Sequence, residues 1–162
     1  MADIFTVRKR SEIMSRIRST GTGPEEKLAE FLVRCLGRRR IKRNVCALPG
    51  QPDVLVSSLR LVIFVDGCFY HSCPKHGHNP KSNSRYWVPK LARNLARDRA
   101  NRRALRKMGF AVWTIWEHSL KGPHGPQTEQ ALIRRLEKRL NVCKGSRKRR
   151  AAEILPSHST CR

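Results

Sequence analysis

Three side chains of the kind that bind a structural metal ion lie close together near the middle of the sequence. Cys68 and Cys73 are followed at once by His76, so three candidate ligands fall within nine residues. Structural zinc usually takes four thiolate or imidazole ligands. We expect the fourth to be His118, which directly follows an apolar segment, with His78 as the local alternative. The spacing departs from the common Cys-x2-Cys pattern, so two free cysteines beside a solvated histidine are the other interpretation.

Two aspartates lie at the ends of neighbouring apolar segments. Asp53 precedes residues 54–56 (VLV), and Asp66 follows residues 61–65 (LVIFV). Carboxylates at the ends of buried strands need a partner, and two of them can share one divalent cation. His71 lies between the two thiols and is suited to act as a general base on a phosphodiester. Together these residues predict a hydrolytic magnesium site; singly, a turn carboxylate and a fourth zinc ligand are the simpler interpretations.

Aromatic side chains interrupt the cluster of metal-binding residues. Phe69 and Tyr70 are adjacent, and side chains alternate between the two faces of a strand, so both cannot enter one core from a strand. In a loop held by a metal ion both rings would be exposed and could insert between base pairs, joined by Trp87. One ring buried and one exposed is the alternative. Met14, on a short basic helix, is either a packing residue or a second wedge.

The charge of the chain indicates a polyanionic partner. Its 162 residues include 35 Lys and Arg against 12 Asp and Glu, a net charge of +23. Nucleic acid is the expected partner, and a membrane or ribosomal surface is the alternative. No apolar segment approaches the 18 residues of a membrane span, and the N-terminus lacks the apolar region of a signal peptide. Six cysteines without a secretory signal predict a reducing compartment, hence a cytoplasmic protein.

The hydrophobic periodicity predicts an α/β fold, with one mixed sheet and helices on its faces. The predicted order is helix, helix, strand, strand, strand, helix, strand, helix. We expect one domain over residues 1–142 and a basic, disordered tail over 143–162. The expected helices cover residues 11–19, 24–36, 85–108 (at least after Pro89) and 128–140. The expected strands cover residues 45–48, 54–56, 61–65 and 110–116.

Several segments resemble the very-short-patch mismatch repair endonucleases (Vsr). They are LPGQPD, VIFVDGCFYHSCPKH, YWVPKL, NLARDR and GFAVWTIWE, preceded by MSRIRSTGTGPE, and the resemblance spans about residues 8–140. It implies a three-layer sandwich like that of type II restriction endonucleases, stabilised by zinc. It also implies a magnesium-dependent enzyme that nicks double-stranded DNA 5′ to the thymine of a T:G mismatch, such as arises when 5-methylcytosine deaminates.

The resemblance assigns roles to individual residues. Asp53 matches the metal-binding aspartate, His71 the catalytic histidine and Glu25 a glutamate that assists them. Val65 matches the position whose backbone oxygen binds magnesium. The residues that match DNA-intercalating positions are Phe69, Tyr70 and Trp87, with Met14 entering from the opposite groove. The zinc ligands would be Cys68, Cys73, His76 and His118.

The sequence departs from the usual family pattern at a few positions. Tyr70 replaces the more usual tryptophan, and His118 stands where cysteine is common. Asp66 occupies a position that varies between acid and histidine, which leaves its role open. The resemblance further implies a monomer in the bacterial cytoplasm, associated with the nucleoid, with mismatch-repair or polymerase partners. A restriction-type endonuclease acting on paired DNA and a non-catalytic, zinc-stabilised nucleic-acid-binding protein are the competing hypotheses.

Overall fold

A computed structural model describes residues 6, 8–9, 12, 20–77, 80 and 83–142, together with the backbone of residues 143–154. Met14, His78 and most of the helix expected over residues 11–19 lie outside the described residues. The helices are α1 Gly23–Leu36, α2 Ser84–Lys107 and α3 Gly125–Ile154. The strands are β1 Ile41–Arg43, β2 Val54–Val56, β3 Leu61–Asp66 and β4 Ala111–Trp116.

The four strands form one mixed sheet in the order β1-β2-β3-β4. The first three strands are antiparallel, and β4 lies parallel to β3, with Val65 opposite Ile115. The tight connection from β2 to β3 is a 3₁₀ turn at Ser57–Leu59 that ends at Arg60 with a positive φ of 46°. Parallel strands need a long crossover, which α2 supplies between β3 and β4.

Alternate residues of β3 enter two separate cores. Leu61 and Ile63 pack with residues of α1 and α3 on one face of the sheet. Val62 lies on the other face with Leu105 of α2. The sheet is therefore covered by helices on both faces, which confirms the predicted α/β class with a central mixed sheet.

The strand predicted over residues 45–48 is wrong. The chain pairs earlier, at β1, where Ile41 lies opposite Val56. Asn44 then takes a positive φ of 47°, and the backbone N–H of Val45 donates to the carbonyl of Pro52. The apolar side chain of Val45 still packs against the second core, which explains why this turn has the composition of a strand.

The helix expected over residues 85–108 is confirmed, whereas the last helix is longer than its sequence pattern indicated. α2 begins at Ser84 and passes through Pro89. A proline in the second turn removes one backbone hydrogen bond near a helix end that has few to lose, so α2 includes the residues before Pro89 as well. The backbone of α3 continues to Ile154. No helix among the described residues is both long and apolar enough to cross a membrane.

Candidate active site

The four expected zinc ligands come together where β3 and β4 end. Their ligand atoms all lie within 4.8 Å of one another, in the set Cys68, Cys73, His76 and His118. The Nδ1 atom of His118 is 3.0 Å from the sulfur of Cys68 and 3.7 Å from that of Cys73. Ligands of a tetrahedral zinc ion are separated by roughly 3.3–3.8 Å, given its bond lengths to sulfur and nitrogen. The donor types fit zinc, the distances lie close to this range, and both thiols are buried.

Backbone contacts hold the loop that carries the two thiols. The N–H of Cys73 donates to the carbonyl of Cys68, and that of Gly77 donates to Cys73 at 2.6 Å. A Cβ atom on Gly77 would lie 2.5 Å from the Cys73 carbonyl oxygen, so only glycine allows this close approach. The carboxylate of Glu117 accepts the N–H of Cys68 at 2.9 Å and pairs with Lys121. The loop is thereby tied to the end of β4.

Burial and charge shift the proton affinities of groups in this cluster. Burial raises the pKa of the Cys68 thiol. Burial and the neighbouring His76 lower the pKa of His118, which favours the neutral imidazole that a metal ion requires. The hydrogen bond from Lys121 lowers the pKa of Glu117 and keeps that carboxylate ionised beside the loop.

His71 is paired with a carboxylate from α2. Its Nδ1 atom lies 2.6 Å from the Oδ2 atom of Asp98, and the Asp98 side chain is only 11% exposed. The carboxylate accepts a hydrogen bond from the Nδ1–H group, which leaves the lone pair on Nε2 and sets the orientation of the ring. The His71 side chain is 27% exposed, so the ring stays accessible to a substrate. This arrangement is that of an oriented general base.

A second group of acidic residues lies at the start of β2. The Oδ2 atom of Asp53 accepts the backbone N–H of Val65 at 2.7 Å. Burial, reinforced by the negative charges of Glu25 and Asp66, raises the pKa of Asp53 to about 6, although the hydrogen bond from Val65 opposes the shift. Carboxylates that repel one another in a desolvated site favour a bound cation. Carboxylate oxygens are the donor type that Mg²⁺ prefers, although among the described residues only the Cys/His set brings three or more ligand atoms together around one point.

Glu25 and Asp66 both have hydrogen-bonding partners of their own. Glu25 is buried and accepts the backbone N–H of Gly21 at 2.8 Å and the hydroxyl of Thr22 at 2.7 Å. Asp66 is 2% exposed and pairs with Arg102 at 2.5 Å. Asp66 is therefore neutralised by an arginine from α2 rather than left as a free carboxylate beside Asp53.

A cavity of about 530 Å³ lies between the ends of the strands and α2. The charged or titratable residues that line it are Asp66, His71, Arg97, Asp98 and Arg102. Asp53 and Glu25 are outside this lining, and no hydrogen bond joins either of them to His71. The acidic group and the His71–Asp98 pair are two neighbouring parts of the site, linked through Asp66.

The aromatic residues predicted to intercalate form one cluster. Phe69 has its ring centroid 5.2 Å from Tyr70 and 5.0 Å from Trp87, both in edge-on contacts. All three rings are half-buried, and Tyr86 beside them is 49% exposed. The amide of Asn94 donates to the carbonyl of Tyr70 at 3.3 Å, which ties the aromatic loop to α2.

Sequence reasoning missed two partners in α2. Asp98 is the single acidic residue of α2, and its isolation among basic residues is the one sequence signal that it has a specific partner. Arg102 gave no signal among so many arginines. Asp98 and Arg102 are four residues apart and therefore lie on the same face of α2. That face is turned toward the end of β3, where Asp98 contacts His71 and Arg102 contacts Asp66.

Comparison with known proteins identifies the class. The family model described as "DNA mismatch endonuclease Vsr" matches residues 2–78. The type II nicking enzyme V.NmeAIP of Neisseria meningitidis is 42% identical over 123 residues, 75% of this chain and 86% of the relative. The nicking enzyme V.NaeI of Lentzea aerocolonigenes is 40% identical over 113 residues, 67% of this chain and 68% of the relative.

A further relative carries the family's own name. The DNA mismatch endonuclease Vsr of Escherichia coli is 34% identical over 142 residues, which cover 85% of this chain and 86% of the relative. In class, the matches therefore group this chain with the DNA endonucleases. It belongs to the DNA mismatch endonuclease Vsr family.

Proposed function

We propose that this protein is a magnesium-dependent endonuclease that nicks one strand of DNA 5′ to the thymine of a T:G mismatch. The observation that carries the proposal is the His71–Asp98 pair, which opens onto a cavity next to an aromatic cluster. The His71–Asp98 pair can activate water, and the aromatic cluster can insert into the base stack. The net charge of +23 supports a DNA duplex as the substrate. Its restriction-endonuclease-like fold is part of the proposal, supported by the mixed sheet with helices on both faces.

Asp53 and the backbone oxygen of Val65 would hold the catalytic Mg²⁺. When bound there, the ion would neutralise the negative charge that develops on the phosphate and on the leaving oxygen. Glu25 contributes negative charge at Asp53 through its position in the first turn of α1. That charge strengthens the attraction of the site for a cation, which is how Glu25 assists.

His71 would act as the general base. Asp98 holds the Nδ1 proton, so Nε2 takes a proton from the attacking water. The water oxygen forms a bond to phosphorus, and the bond from phosphorus to the 3′ oxygen breaks. The products are a 3′-hydroxyl and a 5′-phosphate on the nicked strand. The accessible ring of His71 meets the requirement that the base contact the reacting water.

Phe69, Tyr70 and Trp87 would enter the base stack beside the cut. Their edge-on contacts make one wedge of three rings, and each opened base step costs a few kcal/mol. A T:G wobble pair stacks less well than a paired step, so the wedge would enter there at lower cost. Met14 is proposed to enter from the opposite groove. The Cys68, Cys73, His76 and His118 cluster would bind structural zinc and hold Phe69, Tyr70 and His71 in one loop.

The remaining expectations are also proposals. The endonuclease domain would comprise residues 1–142, and residues 143–162 would form a basic tail. The protein would act as a monomer in the bacterial cytoplasm at the nucleoid, upstream of a polymerase that replaces the nicked patch. The observations that bear on these are the +23 charge and the four-stranded sheet within one chain.

A panel of duplexes tests the substrate. One T:G duplex is compared with its T:A and C:G counterparts, identical at every other position, each incubated with the protein and Mg²⁺. We expect a single nick in the thymine strand of the T:G duplex, and slow or no cutting of the other two.

Cutting of all three duplexes at similar rates would instead favour the restriction-type endonuclease. Tight binding to all of them without any cutting, with or without Mg²⁺, would favour the non-catalytic nucleic-acid-binding protein.

A further inference from the structure

The cations that line the cavity are not equivalent. Arg102 pairs with Asp66, and His71 pairs with Asp98, so each of these two contacts joins a cation or imidazole to a carboxylate. Arg97 lines the same cavity, and among the described residues no carboxylate lies within ion-pair distance of it. The charge that the cavity offers to an anion is therefore that of Arg97.

Arg97 is also fixed in place relative to the reacting groups. It precedes Asp98 on the rigid helix α2, so its position and that of His71 are set by the same element. Its guanidinium donates to the side-chain oxygen of Asn94 at 3.3 Å, and Asn94 in turn donates to the carbonyl of Tyr70. Arg97 thus stands between the aromatic loop and the cavity, with a single long hydrogen bond and most of its donors unused.

We propose that Arg97 is a positioning residue that binds one backbone phosphate of the cut strand between the aromatic wedge and His71. This inference rests on the proposed function, since it names the part of the DNA that the cavity holds. A guanidinium binds phosphate oxygens through two parallel hydrogen bonds, which fixes direction as well as distance. A strand held in this way cannot slide when the rings enter the stack, so the scissile phosphate stays at His71.

Helix geometry supplies a matched control. Arg99 is two residues further along α2, about 200° around the helix axis at 3.6 residues per turn. It is exposed like Arg97 but lies outside the cavity lining. Arg97→Gln and Arg99→Gln remove the same charge from the same helix, so any general electrostatic effect on DNA binding is shared by the two variants.

The test is a set of binding measurements in Mg²⁺-free buffer on T:G duplexes that each carry one neutral methylphosphonate. We expect one position near the mismatch at which the substitution weakens binding of the unaltered protein about tenfold. Arg97→Gln should bind about tenfold more weakly to normal DNA and lose no further affinity at that position. Arg99→Gln should keep the tenfold response, and Arg97→Lys should recover part of it.

Salt dependence gives a second readout that a purely structural role would not change. The slope of log K against log salt should be smaller by about 0.9 for Arg97→Gln and unchanged for Arg99→Gln. The proposal is overturned if Arg97→Gln keeps the full methylphosphonate response, or if the two variants give equal slopes. The same binding measurements can be made on fully paired DNA. A loss of T:G specificity would then be distinguished from a loss of the phosphate contact at Arg97.

Discussion

The contact between His71 and Asp98 organises the site at the scale of single residues. Asp98 lies in α2 and His71 in the loop after β3, yet their side chains meet at 2.6 Å in a place that is only partly open to water. Hydrogen bonding to a carboxylate selects the imidazole tautomer whose free nitrogen can accept a proton. The proposed general base therefore depends on both residues and not on His71 alone.

Asp98→Asn tests the pair directly. An amide can donate to Nδ1, which favours the tautomer with its proton on Nε2 and removes the base. We expect nicking to slow about 10²–10⁴-fold under single-turnover conditions, with little change in DNA affinity. Thermal unfolding and metal content serve as controls for folding. A nicking rate within a factor of two of the unaltered protein would contradict the role of Asp98.

Asp53 should make stability depend on pH. Its pKa is raised from 3.8 to about 6 in the folded protein, chiefly by burial. The folded state therefore holds this proton more tightly than the unfolded state, and stability falls as the pH rises from about 4 through about 6. Without Mg²⁺, Asp53→Asn should be more stable than the unaltered protein at pH 8, by roughly 2–3 kcal/mol.

The same comparison at low pH provides the control for this prediction. Near pH 4 the Asp53 carboxyl is protonated in the folded state and partly protonated in the unfolded state, so most of the advantage of Asp53→Asn should be lost. Denaturant unfolding at pH 4 and pH 8 measures it. A variant less stable than the unaltered protein at pH 8 would contradict the buried, repelled state of this carboxylate.

The sequence was informative about residue types and poor about partners. The thiols, imidazoles and aromatic rings within nine residues predicted a metal site and an aromatic surface, because these residue types are rare and are clustered here. The pairing of Asp66 with Arg102 crosses 36 residues of chain. Nothing in the spacing selects Arg102 from the many arginines of α2, so only the packing of that helix against the sheet reveals it.

At the scale of elements, one loop and one helix build the part of the site around His71. The loop after β3 carries the thiols, Phe69, Tyr70 and His71. α2 carries Trp87, and it supplies Asn94 and Asp98 as partners of the loop and Arg102 as the partner of Asp66. The Cys/His cluster fastens the loop to the end of β4. A loop without internal secondary structure needs such an anchor to hold functional groups at fixed positions.

Loss of one thiol should release the whole loop. Cys73→Ser removes a buried ligand, so we expect zinc content to fall from about one per chain to well below it, with a lower melting temperature and little nicking. Cys46→Ser is the matched control, because Cys46 is an exposed free cysteine outside the cluster. Full zinc retention in Cys73→Ser, measured by metal analysis, would show that the cluster is not the zinc site.

The packing of α2 against the sheet should contribute to the stability of the protein as much as the polar contacts of α2 do. Leu105 is 0% exposed and packs α2 against the sheet beside Val62, whereas Met108 one turn later is 46% exposed. Leu105→Ala should destabilise the protein by about 2–5 kcal/mol and Met108→Ala by less than about 1 kcal/mol. Equal losses in denaturant unfolding would mean that α2 is not anchored through Leu105.

The elements themselves were largely predictable. The apolar runs of β2 and β3 identify buried strands, and the stripe of α1 identifies an amphipathic helix. The failure at residues 45–48 has a physical reason, since an apolar turn can pack against the core without pairing. The order of the strands, and so the proximity of β4 to the thiol loop, comes from tertiary packing and is not encoded in any local pattern.

At the scale of the whole molecule, part of the positive charge lies on the same helix that builds the candidate site. The basic residues that give the chain its +23 charge are concentrated in part on α2, the helix that also orients His71. In the proposed function, attraction to the DNA backbone would bring the duplex to the face where the aromatic cluster and the cavity lie. The short, basic edge strand β1 closes the other side of the sheet and discourages pairing with a second chain.

The most direct test of the central claim is single-turnover nicking of one T:G duplex by three proteins. They are the unaltered protein, His71→Ala and Asp53→Ala, each with Mg²⁺ and with DNA binding measured in parallel. We predict one nick 5′ to the mispaired thymine for the unaltered protein. Both variants should bind the duplex but cut it at least about 10²-fold more slowly. Cutting by either variant at the unaltered rate would contradict the assignment of this site to phosphodiester hydrolysis.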